Sequence, residues 1–114
     1  MDEVECIFCQ IVAGEAPARI VFEDDQIMAF HDINPAAPTH VLIIPKKHVP
    51  RVSDFDPEDQ RLIGHMVLTA NAIAEEEDMP SYRYVVNCGP DALQSVYHVH
   101  LHLIGGRPFT WPPG

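Results

Sequence analysis

Apolar and polar residues alternate along the segment from Val96 to Ile104, and this alternation is the clearest structural signal in the chain. Tyrosine, valine and leucine occupy one parity, and three histidines, His98, His100 and His102, occupy the other. Successive side chains of a strand point to opposite faces of the sheet, so the pattern predicts a β-strand with one apolar face and one imidazole face. Gly105-Gly106 then permits a turn.

Four further strands and two helices are predicted from the same kind of pattern. The strands are 18–23, 26–31, 40–45 and 82–88, and the first two are expected to pair as a hairpin because Asp24-Asp25 separates them. A short helix is expected at 5–13, with Gly14 ending it. Asp56 and Pro57 are typical of the N-cap and first residue of the one long helix, which Met79-Pro80 ends. Its buried stripe is predicted to consist of Leu62, Ile63, Met66, Val67, Ala70, Ile73 and Ala74.

These elements predict an α+β fold. We expect a mainly antiparallel sheet of about five strands, with the long helix across one face and the short helix near the N-terminus. At 114 residues, the chain is expected to be a single domain, residues 1–114. A core of this size is marginal alone, so oligomerisation would help to stabilise it.

Composition narrows the class of protein. The net charge of -10 argues against non-specific binding to a nucleic-acid backbone, which depends on lysine and arginine. No apolar run reaches the roughly 18 residues that a membrane span needs. The acidic start Met1-Asp2-Glu3-Val4-Glu5 is unlike a secretory signal, so we expect a cytoplasmic protein without a disulfide framework among its three cysteines.

The three histidines are compatible with two kinds of chemistry, metal ligation and catalysis on an anion. The strand rise places His98 and His100 about 7 Å apart, and His98 and His102 about 13 Å apart. Two neighbours could share a metal ion, but all three could not converge on one small ion. A phosphate ester is larger, so two of them could flank it, and a neutral imidazole is a good nucleophile near neutral pH.

The segment His98-Val99-His100-Leu101-His102-Leu103-Ile104 resembles the signature of the histidine triad family, in which three histidines alternate with apolar residues. Further segments resemble the branch called histidine triad nucleotide-binding proteins, and they extend over almost the whole chain. They are 22–25, 29–33, 38–40, 44–48, 85–87, 94–98 and 111–114. The resemblance implies a homodimer whose two sheets continue into one.

The resemblance also implies catalytic roles. His100 would be the nucleophile and would carry a transient nucleotidyl group. His102 and Ser95 resemble the family's phosphate-binding groups, Asn87 would be presented from the neighbouring strand, and His40 would polarise His100 or relay protons near it. The residues alone leave alternatives open: Ser95 also fits a turn residue, Asn87 a strand-end cap and His40 a strand-edge histidine.

A nucleotide pocket is implied in the same way. Asp32 could accept hydrogen bonds from ribose hydroxyls, and Phe8, Phe30, Ile33 and Leu42 could sandwich a base. Taken alone, Asp32 is a loop-initiating residue and the four apolar residues belong to the core. The resemblance makes all five expected contacts of a purine nucleoside monophosphate. It implies a purine nucleoside 5′-phosphoramidate as substrate and no organic cofactor.

Two cysteines and two histidines form a candidate zinc set. Cys6 and Cys9 are spaced i, i+3, and His48 and His98 are not used by the catalytic assignment. Two thiolates with two imidazoles are a common structural zinc set. The alternative is two core cysteines and two surface histidines. Some bacterial members of the family bind zinc with this quartet, so the resemblance implies a structural zinc that joins the N-terminal helix to the sheet.

The implied function is hydrolysis of a nucleoside phosphoramidate through a nucleotidyl-histidine intermediate. Two alternatives stay open: a nucleotide-binding scaffold with incidental turnover, and a dinucleoside polyphosphate hydrolase as in a sister branch. Gly105-Gly106 and the terminal Trp111-Pro112-Pro113-Gly114 match the phosphoramidase-like branch better. The uridylyltransferase branch has glutamine at the third histidine position, where this chain has His102.

Overall fold

The computed structural model describes residues 5–114, so the acidic segment 1–4 lies outside the described residues. Two 3-10 turns, Val52–Asp54 and Pro57–Asp59, lie before the long helix. The helices and strands are α1 (Ile7–Val12), β1 (Ile20–Glu23), β2 (Ile27–His31), β3 (Thr39–Pro45), α2 (Gln60–Glu76), β4 (Tyr82–Val85) and β5 (Leu101–Gly105).

The five strands form one antiparallel sheet in the order β1-β2-β3-β5-β4. The predicted α+β fold and the β1–β2 hairpin are therefore confirmed. The carboxylate of Asp24 holds the hairpin turn by accepting from the backbone N–H groups of Gln26 and Ile27 at 2.8 and 2.9 Å. β3 lies at the centre of the sheet, which brings His40 at its start next to Ile104 of β5.

Both faces of the central strands are covered, which explains why β2 and β3 have apolar runs rather than a simple alternation. On one face, a cluster that we call the α2 cluster packs strand residues against the long helix; it includes Ile27, Val41, Ile43, Leu101, Leu103, Met66, Ala70 and Ile73. On the other face, the α1 cluster packs strand residues against the short helix; it consists of Cys6, Phe8, Ile11, Met28, Phe30, Leu42 and Ile44.

The long helix begins as predicted at its capping residue. The side chain of Asp56 accepts from the N–H of Glu58 at 2.9 Å, and Pro57 occupies the first helical position, although the first turn is 3-10 rather than α. Of the predicted stripe, Met66, Ala70, Ile73 and Ala74 are buried, whereas Leu62, Ile63 and Val67 are half-buried. Within residues 5–114, no helix has the length and apolarity needed to cross a membrane.

The prediction that His98, His100 and His102 share one strand is wrong in part. β5 begins only at Leu101, so His98 and His100 precede the strand. The neighbouring β3 ends at Pro45, and the last pair between these strands joins Ile43 to Leu101. Beyond that point the backbone bonds elsewhere: the N–H of Val99 donates to the carbonyl of Val49 at 2.7 Å. β5 therefore begins only where its backbone joins the ladder with β3.

Candidate active site and metal site

Three histidines meet where the start of β3 lies beside β5; we call them the histidine cluster (His40, His100 and His102). Nε2 of His40 lies 2.8 Å from Nδ1 of His102. The ring centroids of His100 and His102 are 4.8 Å apart. The carboxylate of Asp32, directly after β2, lies 3.3 Å from Nε2 of His40. The structure thus brings together four of the predicted site residues.

The tautomer of His100 follows from its hydrogen-bond partner. Its Nδ1 lies 2.8 Å from the backbone carbonyl oxygen of His98, which can only accept, so Nδ1 carries the proton. In a neutral imidazole the other nitrogen, Nε2, is then unprotonated and has a free lone pair. His100 is therefore held in the form that a nucleophile through Nε2 requires.

A second series of hydrogen bonds determines the tautomers of His40 and His102. Nδ1 of His40 accepts from the backbone N–H of Ala36 at 2.9 Å, so a neutral His40 carries its proton on Nε2 and directs it towards Nδ1 of His102. His102 in turn carries its proton on Nε2. That nitrogen is buried and has no hydrogen-bond partner among residues 5–114. A buried N–H without a partner is a donor well suited to an anionic oxygen.

Burial keeps the cluster neutral. It lowers the pKa of His102 to about 4, assisted by the neighbouring His100 and His40. Burial also lowers the pKa of His100, although the carbonyl of His98 opposes this shift. The pKa of His40 is lowered by burial too, against the opposing charge of Asp32. All three rings are therefore neutral at neutral pH, so Nε2 of His100 has a free lone pair without prior deprotonation.

Asp32 has a contact that the sequence interpretation missed. Its backbone N–H donates to the carbonyl of His40 at 3.0 Å, and one carboxylate oxygen accepts from the N–H of Asn34 at 2.8 Å. The other oxygen faces His40. The signal was present in the sequence, because Asp32 directly follows one predicted strand and His40 begins the next. In the structure the antiparallel pair His31–Val41 places the two side by side.

The residues expected to hold a base lie in different environments. Phe8, Phe30 and Leu42 are buried together in the α1 cluster, and the ring of Phe8 contacts the ring of His100 edge-on with centroids 5.1 Å apart. Ile33, beside Asp32, is 91% exposed. The structure brings the first three together next to the histidine cluster and places Ile33 on the surface.

The expected phosphate-binding residues lie in the connection between β4 and β5. Asn87 follows the end of β4, and continuing the pairing of Val85 with His102 by two residues would place Asn87 opposite His100. Ser95 is exposed and precedes the first histidine of the triad. Next to it, the buried amide of Gln94 holds the loop in place by bonding the N–H of Gly89 and the carbonyls of Pro50 and Val96. Sequence reasoning assigned no role to Gln94.

The predicted zinc ligands, far apart in the sequence, are brought together. Nδ1 of His98 lies 3.4 Å from Sγ of Cys6 and 3.5 Å from Sγ of Cys9, and Nδ1 of His48 lies 3.2 Å from Sγ of Cys9. One ligand atom from each of the four lies within 4.8 Å of every other. Tetrahedral zinc with its usual bond lengths would separate a sulfur and a nitrogen ligand by about 3.5 Å.

The hydrogen bonding of His98 also fits a metal ligand. Its Nε2 lies 2.7 Å from the carbonyl oxygen of Pro45, so this nitrogen donates and Nδ1 presents its lone pair to the two thiols. A ligating histidine usually donates its other N–H to such an outer partner. The donor set, its spacing and the tautomer of His98 are therefore all compatible with zinc.

A second group of possible ligands is formed by Asp32, His40 and His102. The 2.8 Å between the nitrogens of His40 and His102 is a hydrogen-bond distance. Two nitrogens on one tetrahedral zinc would be separated by about 3.3 Å. We therefore interpret this group as a hydrogen-bonded network.

Comparison with known proteins gives concordant matches. The family model for the C-terminal binding region of the scavenger mRNA decapping enzyme matches residues 5–108. An uncharacterized HIT-like protein of Synechocystis sp. is 50% identical over 111 residues, covering 96% of this chain and 97% of the relative. The crystal structure of a HIT family hydrolase from Legionella pneumophila superposes with a TM-score of 0.93 at 49% identity, covering 96% of this chain and 100% of that one. A Zn-bound histidine triad family protein from Mycobacterium smegmatis has a TM-score of 0.81 at 33% identity, covering 93% and 78%.

Proposed function

Because the chain belongs to the histidine triad family, we propose that it is a hydrolase that cleaves the P–N bond of purine nucleoside 5′-phosphoramidates, with His100 as nucleophile. One observation carries the proposal. The carbonyl of His98 holds the proton of His100 on Nδ1, which leaves Nε2 unprotonated in a ring whose centroid is 4.8 Å from that of His102, whose Nε2–H has no partner among residues 5–114. A nucleophile and an anion-binding donor are thus adjacent.

The reaction would proceed in two displacements. Nε2 of His100 forms a bond to phosphorus as the bond from phosphorus to the amine nitrogen breaks, and the amine takes up one proton that the histidine cluster relays from solvent. Water then attacks phosphorus, the bond to His100 breaks, one proton of the water returns to solvent through the cluster, and a nucleoside monophosphate is released. The N–H of His102 would bind a non-bridging oxygen throughout, and general-acid help to the amine is typically worth about 10²–10⁴-fold in rate.

The nucleotide would lie beside the histidine cluster. Ribose hydroxyls would bond to the carboxylate of Asp32, whose side chain is 18% exposed. The base would contact Ile33 and the edge of the α1 cluster formed by Phe8, Phe30 and Leu42. Phosphate oxygens would also meet Ser95 and Asn87. The direct contact between Asp32 and His40 supports a shared role for this carboxylate in ribose binding and in orienting His40.

Hydrolysis of an adenosine phosphoramidate tests the proposal. We expect His100→Ala to lower kcat/KM by about 10³-fold or more, because the covalent route is lost. AMP affinity, measured by calorimetry, should change little. The matched control is His65→Ala, since His65 lies on α2 and pairs with Asp24 rather than with the cluster. Full activity of His100→Ala would refute the mechanism.

The same assay separates the alternative functions. A scaffold protein would bind AMP without measurable turnover of phosphoramidates in the wild type. A dinucleoside polyphosphate hydrolase would turn over a diadenosine polyphosphate faster than an adenosine phosphoramidate. In either outcome the P–N specificity proposed above is rejected, even if His100 remains essential.

We also propose a structural zinc held by Cys6, Cys9, His48 and His98. When bound, zinc would supply folding free energy by linking α1 to the segments that carry the two histidines. Purified protein should contain about one zinc per chain by elemental analysis, and Cys9→Ser should lose it. Reduced thiols are needed for this ligation, which accords with a cytoplasmic location.

A homodimer completes the proposal. β4 is an edge strand of the sheet, and Tyr82 at its start and Val86 directly after its end are 37% and 40% exposed. An edge strand presents unpaired backbone groups to which a second copy could add its own edge. Light scattering during size-exclusion chromatography should give twice the chain mass of 12.8 kDa. A monomer at micromolar concentration would reject the dimer without affecting the chemistry.

A further inference from the structure

Two residues join the metal site to the nucleophile. The side chain of His98 faces the two thiols, while its backbone carbonyl accepts the Nδ1 proton of His100 at 2.8 Å. Phe8 lies between the two cysteines in the sequence, and its ring is edge-on to the rings of both His98 and His100, with centroids 5.8 and 5.1 Å apart. A movement of His98 or of the segment that carries Cys6 and Cys9 would therefore change the contacts of His100.

The sheet does not hold this part of the chain in place. β5 begins at Leu101, so the carbonyl of His98 lies outside the strand ladder. Helix α1 has only six residues, far fewer than an isolated helix needs to be stable. Outside the ladder, the segment is anchored by the bond from Val99 to Val49 and by the bond from the His98 ring to the carbonyl of Pro45, among others. A metal ion would add four ligand bonds to these anchors.

We propose that metal binding by the quartet fixes the orientation and tautomer of His100, so that His98 and Phe8 are positioning residues for the nucleophile. The metal is then a rate-controlling element as well as a fold-stabilising one. The ligand is a thiolate-binding divalent cation of the zinc type. The inference rests on the proposed function only in naming His100 as the nucleophile, because its position can be measured without turnover.

Nitrogen NMR of histidine-labelled protein at a fixed neutral pH provides the test, since protonated and unprotonated ring nitrogens differ widely in chemical shift. In zinc-loaded protein, Nδ1 of His100 should be protonated and Nε2 unprotonated. After chelation, both shifts should move towards a tautomer average, and zinc addition should restore them. His65, bonded to Asp24 at 2.6 Å on another face, should not change and serves as the internal reference. Unchanged His100 shifts in metal-free, folded protein would overturn the proposal.

A variant that keeps all four ligands covers the case in which the metal-free chain unfolds. Phe8→Leu retains a buried apolar side chain and should still bind one zinc per chain, but it removes the ring that contacts His100. We expect zinc-loaded Phe8→Leu to show partial tautomer averaging and a nucleotidylation rate about 10-fold lower in single turnover, within the range known for groups that support a site from outside.

Ile11→Leu is the matched control, because Ile11 lies on the same helix and in the same cluster and the swap conserves volume. It should leave both the tautomer and the rate unchanged. Equal behaviour of Phe8→Leu and Ile11→Leu would show that the ring contact has no positioning role. Failure of the proposed function and failure of the metal coupling give different results. If the tautomer of His100 depends on the metal but His100→Ala is active, only the proposed function is rejected. If the tautomer does not depend on the metal but His100→Ala is inactive, only the coupling is rejected.

Discussion

Gly105 ends β5, the strand that carries His102, and one added methyl group there should lower the stability of the protein. It pairs with Thr39 on one side and Tyr82 on the other. A Cβ there would overlap Sδ of Met79 and would lie 3.2 Å from both the backbone oxygen of Ser81 and Cβ of Tyr82. Met79 can move because its side chain is flexible, but the backbone of Ser81 cannot do so without disturbing β4.

The expected loss of stability in Gly105→Ala follows from these neighbouring atoms. Overpacking a well-packed site lowers the free energy of unfolding by about 1–3 kcal/mol. Gly64 gives the opposite case, because it lies within α2, is exposed, and an added Cβ meets nothing within 4 Å. Replacing a helix glycine by alanine raises stability by about 1 kcal/mol. The same chemical change at the two sites should therefore differ by about 2–4 kcal/mol.

Urea unfolding of wild type, Gly105→Ala and Gly64→Ala at one protein concentration measures this difference. Concentration must be constant because a dimer would make stability depend on it. The double variant Gly105→Ala with Met79→Ala should recover only part of the loss, since Ser81 and Tyr82 remain close to the added methyl group. If Gly105→Ala is as stable as wild type, the packing argument at the end of β5 is wrong.

Three further predictions concern His102 and the end of α2. Replacing His102 by Phe removes the buried Nε2–H, so turnover of an adenosine phosphoramidate should fall by about 10²–10³-fold, and an equal loss in His65→Phe would contradict that role. The folded pKa of His102 is about 4 against an ordinary 6.5, so the unfolded chain takes up the proton first as the pH falls. The contribution of His102 to the free energy of unfolding should therefore be complete above pH 6.5 and decline between pH 6.5 and 4. Urea midpoints over this pH range should decline less in His102→Phe than in wild type. Identical pH profiles of the two proteins would refute this. Asp78 follows α2 with φ of 54°, so Asp78→Gly should raise the free energy of unfolding by about 1 kcal/mol. Asp78→Ala, which also removes the charge but keeps a Cβ at positive φ, should not, and equal gains would rule out the backbone explanation.

Local patterns were sufficient for much of the fold. The apolar run of β3, the Asp24 turn of the hairpin, and Asp56-Pro57 at the start of the long helix each depend on residues within a few positions of one another, and each is confirmed. The beginning of β5 could not be found in this way. The alternation from His98 onwards reads as strand, but the ladder with β3 stops at the pair of Ile43 with Leu101, and the N–H of Val99 bonds to Val49 instead.

The sequence by itself determined the α+β order of elements and identified the candidate residues for the chemistry, which are the three alternating histidines and the Cys6–Cys9 pair. Only the tertiary structure decided the contacts, tautomers and charges of these side chains. Cys6 and His98 are 92 residues apart, and His40 and His102 are 62 apart, so their contacts arise from sheet order and not from local preference. The proton of His100 lies on Nδ1 because a backbone carbonyl outside the sheet accepts it, and His102 is neutral because the fold buries it. Tautomer and charge depend on what surrounds a ring in space, and spacing along the chain carries no information about that.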